Sequence, residues 1–166
     1  ILDQHLKFFG PEYQRAYRWR PDEVEVLIED LVRFMEEEED KASQDRCPFY
    51  SLQSVVVKNC DSGQLEVIDG QQRLTTLFLL LKNSDTLKVH ACPLCLGSES
   101  YDSVTRNYTF IGEWLKENIG NDQENYFKYV SEACDFVKIV VDDLTEAFQM
   151  FDSQNGRGKP LVPYNL

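Results

Sequence analysis

The sequence lacks the features that would place it in a membrane or mark it for export. No apolar run approaches the roughly 20 residues that a membrane-spanning helix needs. The first residues, Ile-Leu-Asp-Gln-His-Leu-Lys, also lack the apolar core of a signal peptide. With 166 residues, 42% of them apolar, the chain is long enough to bury one core. We therefore expect one domain over residues 1–166 and no membrane partner.

Several chemical signatures are absent as well. The phosphate-binding pattern Gly-x-x-x-x-Gly-Lys-Ser/Thr does not occur, so a P-loop is excluded. The chain has five cysteines, an odd number. Cys92 and Cys95 form a CxxC pair, and the sequence contains no second pair of this kind. A structural zinc site would need two further ligands, so we favour a strand over 86–96 and predict no metal site built from these residues. An odd number of cysteines, in a chain large enough to fold without disulfides, also favours a cytoplasmic location.

Positive charge is scarce, but the excess of acid is local. The net charge is −12, and residues 22–40 hold ten of the 29 acidic residues against one of the 17 basic residues. The remaining sequence has a net charge of only −3. This pattern indicates one solvated acidic helix face. It argues against a broad DNA-wrapping surface and leaves room for a small basic pocket.

The apolar periodicity predicts an α+β fold, a small mixed sheet with helices packed against it. Helical spacing predicts helices at about 21–39, 71–82, 102–118 and 122–134, with another from 144 that Asp143 and Glu146 would cap. Strand patterns occur at 49–58, 64–68, 86–95 and 136–141, and the first two form a hairpin. Residues 8–20 are predicted to be an extended arm or loop. The helix at 71–82 is apolar all round and should be buried.

The strongest candidate site is the turn Asp69-Gly70-Gln71-Gln72-Arg73, where a buried strand runs into this buried helix. The first N–H groups of a helix lack intrahelical partners and carry partial positive charge, so they bind phosphate well. Arg73 could add a bidentate contact to the same phosphate. The alternative is a plain helix start, with Asp69 as the N-cap, Gln72 closing a capping box and Arg73 a surface base.

Two other segments carry a similar ambiguity. Residues 13–20, Tyr-Gln-Arg-Ala-Tyr-Arg-Trp-Arg, could stack a base and bind phosphates, or could fasten the arm to the core. Residues 151–161 include Asn155, Gly156 and Gly158, which could form an anion-binding nest or simply end a helix. We expect all three segments to converge on one pocket, which would account for their basic residues together.

Three ordered motifs resemble the N-terminal domain of the GmrSD restriction-endonuclease family. They are Pro-x-Tyr-Gln-Arg-x-Tyr-x-Trp at 11–19, Ile-Asp-Gly-Gln-Gln-Arg-Leu-Thr-Thr at 68–76 and Phe-x-x-x-Asn-x-x-Gly-x-x-Leu at 151–161. The resemblance covers roughly 8–166 and implies a ParB/sulfiredoxin-like fold. It implies binding and hydrolysis of a nucleoside triphosphate (NTP) in defence against phage or other foreign DNA. A nuclease domain would follow, or a partner subunit would supply one, because His5 and His90 cannot build a His-Asn-His site.

The resemblance also implies a set of site residues. Asp69, Gln72 and Arg73 would be catalytic, and the nucleotide would be bound by Gln14, Arg15, Gly70, Gln71, Asn155 and Gly158. Asp69 would hold Mg²⁺ through water or orient the attacking water, and Arg15 or Arg73 would stabilise the transition state. The alternative function is a module that senses a nucleotide or DNA without hydrolysis. Sulfinic-acid reduction is disfavoured because this turn contains no Cys.

Overall fold

A computed structural model of the protein describes residues 8–9, 16–40, 50–60, 63–84, 98–143 and 145–146. Within these residues the chain forms four α-helices and four strands. The helices are α1 (Pro21–Asp40), α2 (Gln71–Lys82), α3 (Tyr101–Asn118) and α4 (Gln123–Ala133). The strands are β1 (Phe8–Phe9), β2 (Tyr50–Asn59), β3 (Leu65–Asp69) and β4 (Cys134–Val141). This arrangement confirms the predicted α+β class.

Most predicted elements lie within a residue or two of their expected bounds. Pro21 begins α1, as its fixed φ angle and missing N–H favour. Asp143 accepts a hydrogen bond from the backbone N–H of Glu146 at 2.9 Å, as the predicted cap requires. The predicted strand at 86–95, the CxxC pair and the helix beyond residue 146 lie outside the described residues. Among the helices that the structure describes, none is long and apolar enough to cross a membrane.

The sheet is mixed, with strand order β1-β3-β2-β4. β2 and β3 form the predicted antiparallel hairpin, in which Val57 pairs with Val67. The two outer pairs, β1 with β3 and β2 with β4, are parallel. In the β2–β4 pair the register shifts between Ser51 and Ser54, and Gln53 there has a φ of 66°. The start of β2 therefore contains a bulge with a left-handed residue.

Helix α2 is the centre of the packing, as its all-round apolar sequence predicts. Every residue from Leu74 to Leu81 is buried. Leu74 packs into an apolar cluster on the sheet with Val55 and Val67, whereas the residues from Leu77 onward belong to a larger cluster with α1, α3 and α4. Because α2 is held on both sides, its first turn occupies a fixed position at the end of β3.

Candidate functional site

The turn between β3 and α2 depends on glycine. Gly70 has a φ of 91°, which is unfavourable for residues with a side chain. A Cβ atom at this position would lie 3.0 Å from a side-chain methyl of Val55. Glycine therefore allows the turn to lie directly on β2, and this close approach brings the start of α2 against the sheet.

Helix α2 begins at this turn without a side-chain cap. Gly70 is the N-cap residue, and its carbonyl accepts the first helical hydrogen bond from Leu74 at 2.9 Å. The N–H groups of Gln71, Gln72 and Arg73 thus have no partner within the helix. The alternative in which Asp69 and Gln72 form a capping box is wrong. The N-cap residue is Gly70, and no side chain makes a capping hydrogen bond at this helix start.

Gln72 instead holds the arm that precedes α1. Its Oε1 accepts hydrogen bonds from the backbone N–H groups of Arg18 at 2.8 Å and Trp19 at 3.2 Å. Its Nε2 donates to the carbonyl of Ala16 at 3.1 Å. One amide group thus makes three hydrogen bonds to the backbone of residues 16–19. The expected meeting of the arm with the turn is therefore observed for this part of the arm.

A buried network around Tyr17 fixes the same part of the arm. The Tyr17 backbone N–H donates to Ser100 at 2.9 Å, and its hydroxyl lies 2.8 Å from the hydroxyl of Thr76. Asn107 of α3 donates from Nδ2 to the Tyr17 hydroxyl at 2.9 Å and to the Trp19 carbonyl at 2.7 Å. Burial raises the pKa of Tyr17, so its hydroxyl stays protonated at neutral pH.

Arg73 is half-buried and binds the bulge in β2. Its Nη1 donates to the carbonyls of Leu52 at 2.9 Å and Ser54 at 3.1 Å, on either side of Gln53. Burial lowers the pKa of Arg73, and the negative charge of Asp69 opposes this shift. An Arg pKa is high enough for the guanidinium to remain charged. Its Nε and Nη2 donate to no other described residue, so one edge of this cation is available to a ligand.

A pocket of about 380 Å³ lies beside Arg73, between α1 and the start of β2. Its volume falls in the range of small-molecule sites, roughly 300–1,000 Å³. Aromatic, apolar and charged side chains line it, among them Trp19, Leu27, Asp30, Tyr50, Leu52 and Arg73. Arg73 is common to the pocket and to the first turn of α2.

The structure describes five of the nine predicted site residues. Asp69, Gly70, Gln71, Gln72 and Arg73 lie together at the start of α2. The other four, Gln14, Arg15, Asn155 and Gly158, lie outside the described residues. Within the described ranges, no three His, Cys, Asp or Glu side chains form a metal-binding group.

Three further residues near the site, Asn107, Asp30 and Tyr50, were not predicted from the sequence. Asn107 did leave a signal, because it is a polar residue at a position of α3 in helical register with the buried Ile111. The pocket residues Asp30 and Tyr50 left none, since they come from elements that are adjacent only in the folded chain.

Residues 1–166, the whole chain, match the family described as GmrSD restriction endonuclease, N-terminal domain. No curated protein matches the chain.

Proposed function

We propose that this chain, which belongs to the family of GmrSD restriction endonuclease N-terminal domains, binds an NTP at the start of α2 and hydrolyses it. The family is part of a restriction endonuclease, which implies further domains and DNA as the target. Cleavage of DNA would be carried out by a C-terminal nuclease domain or a partner subunit, in defence against phage. Among the described residues, Cys60 and Cys134 are free thiols, which fits a protein of the reducing cytoplasm.

One observation carries this proposal: the uncapped start of α2 and the available edge of Arg73 share one turn. The N–H groups of Gln71, Gln72 and Arg73 have no helical partner, and the helix dipole favours an anion beside them. The guanidinium of Arg73 is held in place by two backbone carbonyls before any ligand arrives. A polyphosphate satisfies both groups, whereas a plain helix start would need neither.

In the proposed reaction, water attacks the γ-phosphorus and the bond to the β-phosphate oxygen breaks, which gives a nucleoside diphosphate and inorganic phosphate. The N–H groups of α2 bind phosphate oxygens, and Arg73 stabilises the charge that develops on them. Asp69 orients the attacking water and accepts its proton, or it holds Mg²⁺ through water. A single carboxylate fits Mg²⁺, which takes most of its remaining ligands from water and substrate phosphates and would neutralise phosphate charge.

Phosphate release by the full-length protein tests hydrolysis. We expect Arg73→Ala to lower the turnover number by about 10²–10³-fold, the usual cost of removing a group that stabilises the transition state, and Asp69→Ala to lower it as well. Arg106→Ala and Asp102→Ala are matched controls, because both residues are exposed on α3. Unchanged turnover in both site variants would rule out this assignment.

The second candidate is a module that binds a nucleotide without hydrolysing it. The hydrogen bonds of Gln72 favour it, because an amide already bonded three times to the arm is not free to act on water. Tight NTP binding with no phosphate release, even with the downstream domain present, would support this function over hydrolysis.

A further inference from the structure

The pocket between α1 and β2 has a preformed aromatic side. Trp19 lines the pocket, and two hydrogen bonds fix its backbone. Its N–H donates to Gln72, and its carbonyl accepts a hydrogen bond from Asn107. The apolar residues Leu27 and Leu52 also line the pocket. A pocket with an indole and aliphatic side chains at its border suits a flat, largely apolar ring.

The pocket also contains a hydrogen-bond acceptor near a donor. Asp30 contacts Arg33 through Oδ1, which orients the carboxylate and leaves Oδ2 available. The Tyr50 ring is held edge-on by Phe34, with ring centroids 5.1 Å apart. Burial, and to a smaller extent the charge of Asp30, raise the pKa of Tyr50, so the phenol remains a donor. Its hydroxyl donates to no other described residue.

The pocket is lined by charges of both signs. Asp30 and Glu23 would favour a cation, but the guanidinium of Arg73 also lines the pocket and would repel one. A neutral ring with donors and acceptors on its edge avoids this repulsion. Since Arg73 also belongs to the phosphate-binding turn, the ring would be attached to the phosphates bound there.

We propose that this pocket takes the guanine base of the bound NTP. Asp30 accepts hydrogen bonds from N1–H and the 2-amino group, and Tyr50 donates to O6. This inference rests on the proposed function, because the phosphates at α2 bring the base to the pocket. Among the common bases, guanine alone presents an acceptor followed by two donors on its Watson–Crick edge. Adenine and cytosine place a ring nitrogen acceptor against the carboxylate, and uracil places its O2 there.

The first test changes the ligand. Dissociation constants for GTP, inosine triphosphate, UTP, ATP and CTP are each measured directly by isothermal titration calorimetry. Inosine triphosphate lacks only the 2-amino group, so we expect it to bind about tenfold to a hundredfold more weakly than GTP, the cost of one hydrogen bond to a charged group. ATP and CTP should bind still more weakly. Equal affinity for GTP and inosine triphosphate would overturn the inference.

The second test changes the protein. Asp30→Asn replaces one acceptor oxygen by a donor amide. We expect GTP affinity to fall and ATP affinity to rise, because an amide N–H can donate to adenine N1. Tyr50→Phe should weaken GTP and inosine triphosphate equally, because both carry O6. Glu29→Gln, an exposed change on the same helix, should leave the preference intact.

The outcomes separate this inference from the proposed function. Binding of all five triphosphates with similar affinity would overturn the guanine assignment and leave the triphosphate site standing. Binding of none would overturn the proposed function and the guanine assignment with it. The comparison of GTP with inosine triphosphate needs no variant, so it decides the question even if Asp30→Asn fails to fold.

Discussion

At the residue scale, the side chains that define the site are polar groups bonded to other parts of the protein. Tyr17 is fully buried, although its sequence context of alternating arginines and aromatics is also typical of an exposed nucleic-acid-binding strip. Its neighbours Arg18 and Arg20 are exposed. The Tyr17 side chain therefore fastens the arm to the core, while the two arginine side chains face solvent. These positions fit the interpretation in which the segment fastens the arm to the core, and its binding of a base or phosphates stays a prediction.

Tyr17→Phe tests the contribution of the buried hydroxyl. The change removes a partner from Thr76 and from Asn107 and keeps the ring. Buried groups left without a partner usually cost about 1–3 kcal/mol, so we expect the free energy of unfolding to fall by that amount. Urea denaturation measures it.

The matched control for this variant is Tyr101→Phe. Tyr101 is 71% exposed on α3, so its hydroxyl remains hydrated in both states. We expect a change within about 0.5 kcal/mol. An equal effect of the two substitutions would mean that the Tyr17 network adds nothing to stability.

At the element scale, local elements could be predicted but most of their pairings could not. The four helices and the β2–β3 hairpin follow from periodicity and turn residues, which act over a few positions. The parallel pairing of β2 with β4 joins strands about 80 residues apart, and no local pattern encodes its register. The bulge at Gln53 could not be predicted either, because Gln seldom adopts a positive φ.

The same limit applies to the site. The turn at 69–73 was predictable because it lies within one stretch of chain between two strong apolar patterns. The attachment of Gln72 to the arm and of Arg73 to the bulge joins residues 19 to 56 positions apart, and only the fold reveals it. Family membership was predictable for a different reason: it depends on three motifs in order, and the match over the whole chain confirms it.

Gly70→Ala tests the turn that joins β3 to α2. The substitution forces a side chain into a left-handed conformation, which costs about 1–2 kcal/mol, and presses its Cβ against Val55. Overpacking of this kind adds about 1–3 kcal/mol. We therefore expect a loss of several kcal/mol in the free energy of unfolding, measured by urea denaturation.

Gly120→Ala is the control that separates these two costs. Gly120 has a φ of 59°, and a Cβ at this position would meet no atom of the described residues within 4 Å, so only the conformational cost applies. We expect it to lose about 1–2 kcal/mol. Equal losses at the two positions would show that the contact with Val55 has no energetic consequence.

At the scale of the whole molecule, three weakly acidic side chains from different elements hold their protons in the interior. Burial raises the pKa of Tyr17 in the arm, of Tyr126 in α4 and of Cys134 at the start of β4. Folding depends on keeping these groups neutral, because a buried anion without a partner is very costly. The core as a whole is therefore sensitive to alkaline conditions.

Cys134 gives this sensitivity a defined pH window. Burial raises the pKa of its thiol from 9.0 to about 12. Below pH 9 the thiol is protonated in both the folded and the unfolded chain, so its contribution to stability is fully present. Between pH 9 and 12 only the unfolded chain releases the proton, and that contribution is progressively lost. The slope for one proton is at most about 1.4 kcal/mol per pH unit.

Cys134→Ala removes the contribution of this thiol to the pH dependence of the free energy of unfolding. We expect the variant to be less stable than the wild type at pH 7, because a buried sulfur is lost, but to lose stability less steeply above pH 9. Urea denaturation at pH 7, 8, 9, 10 and 11 gives the two curves, which should be parallel at pH 7 and 8 and converge above. Cys134 is not among the causes of the pKa shift of Tyr17, so the titration of Tyr17 cancels in the difference. Curves that stay parallel up to pH 11 would show that the thiol is free to ionise in the folded protein.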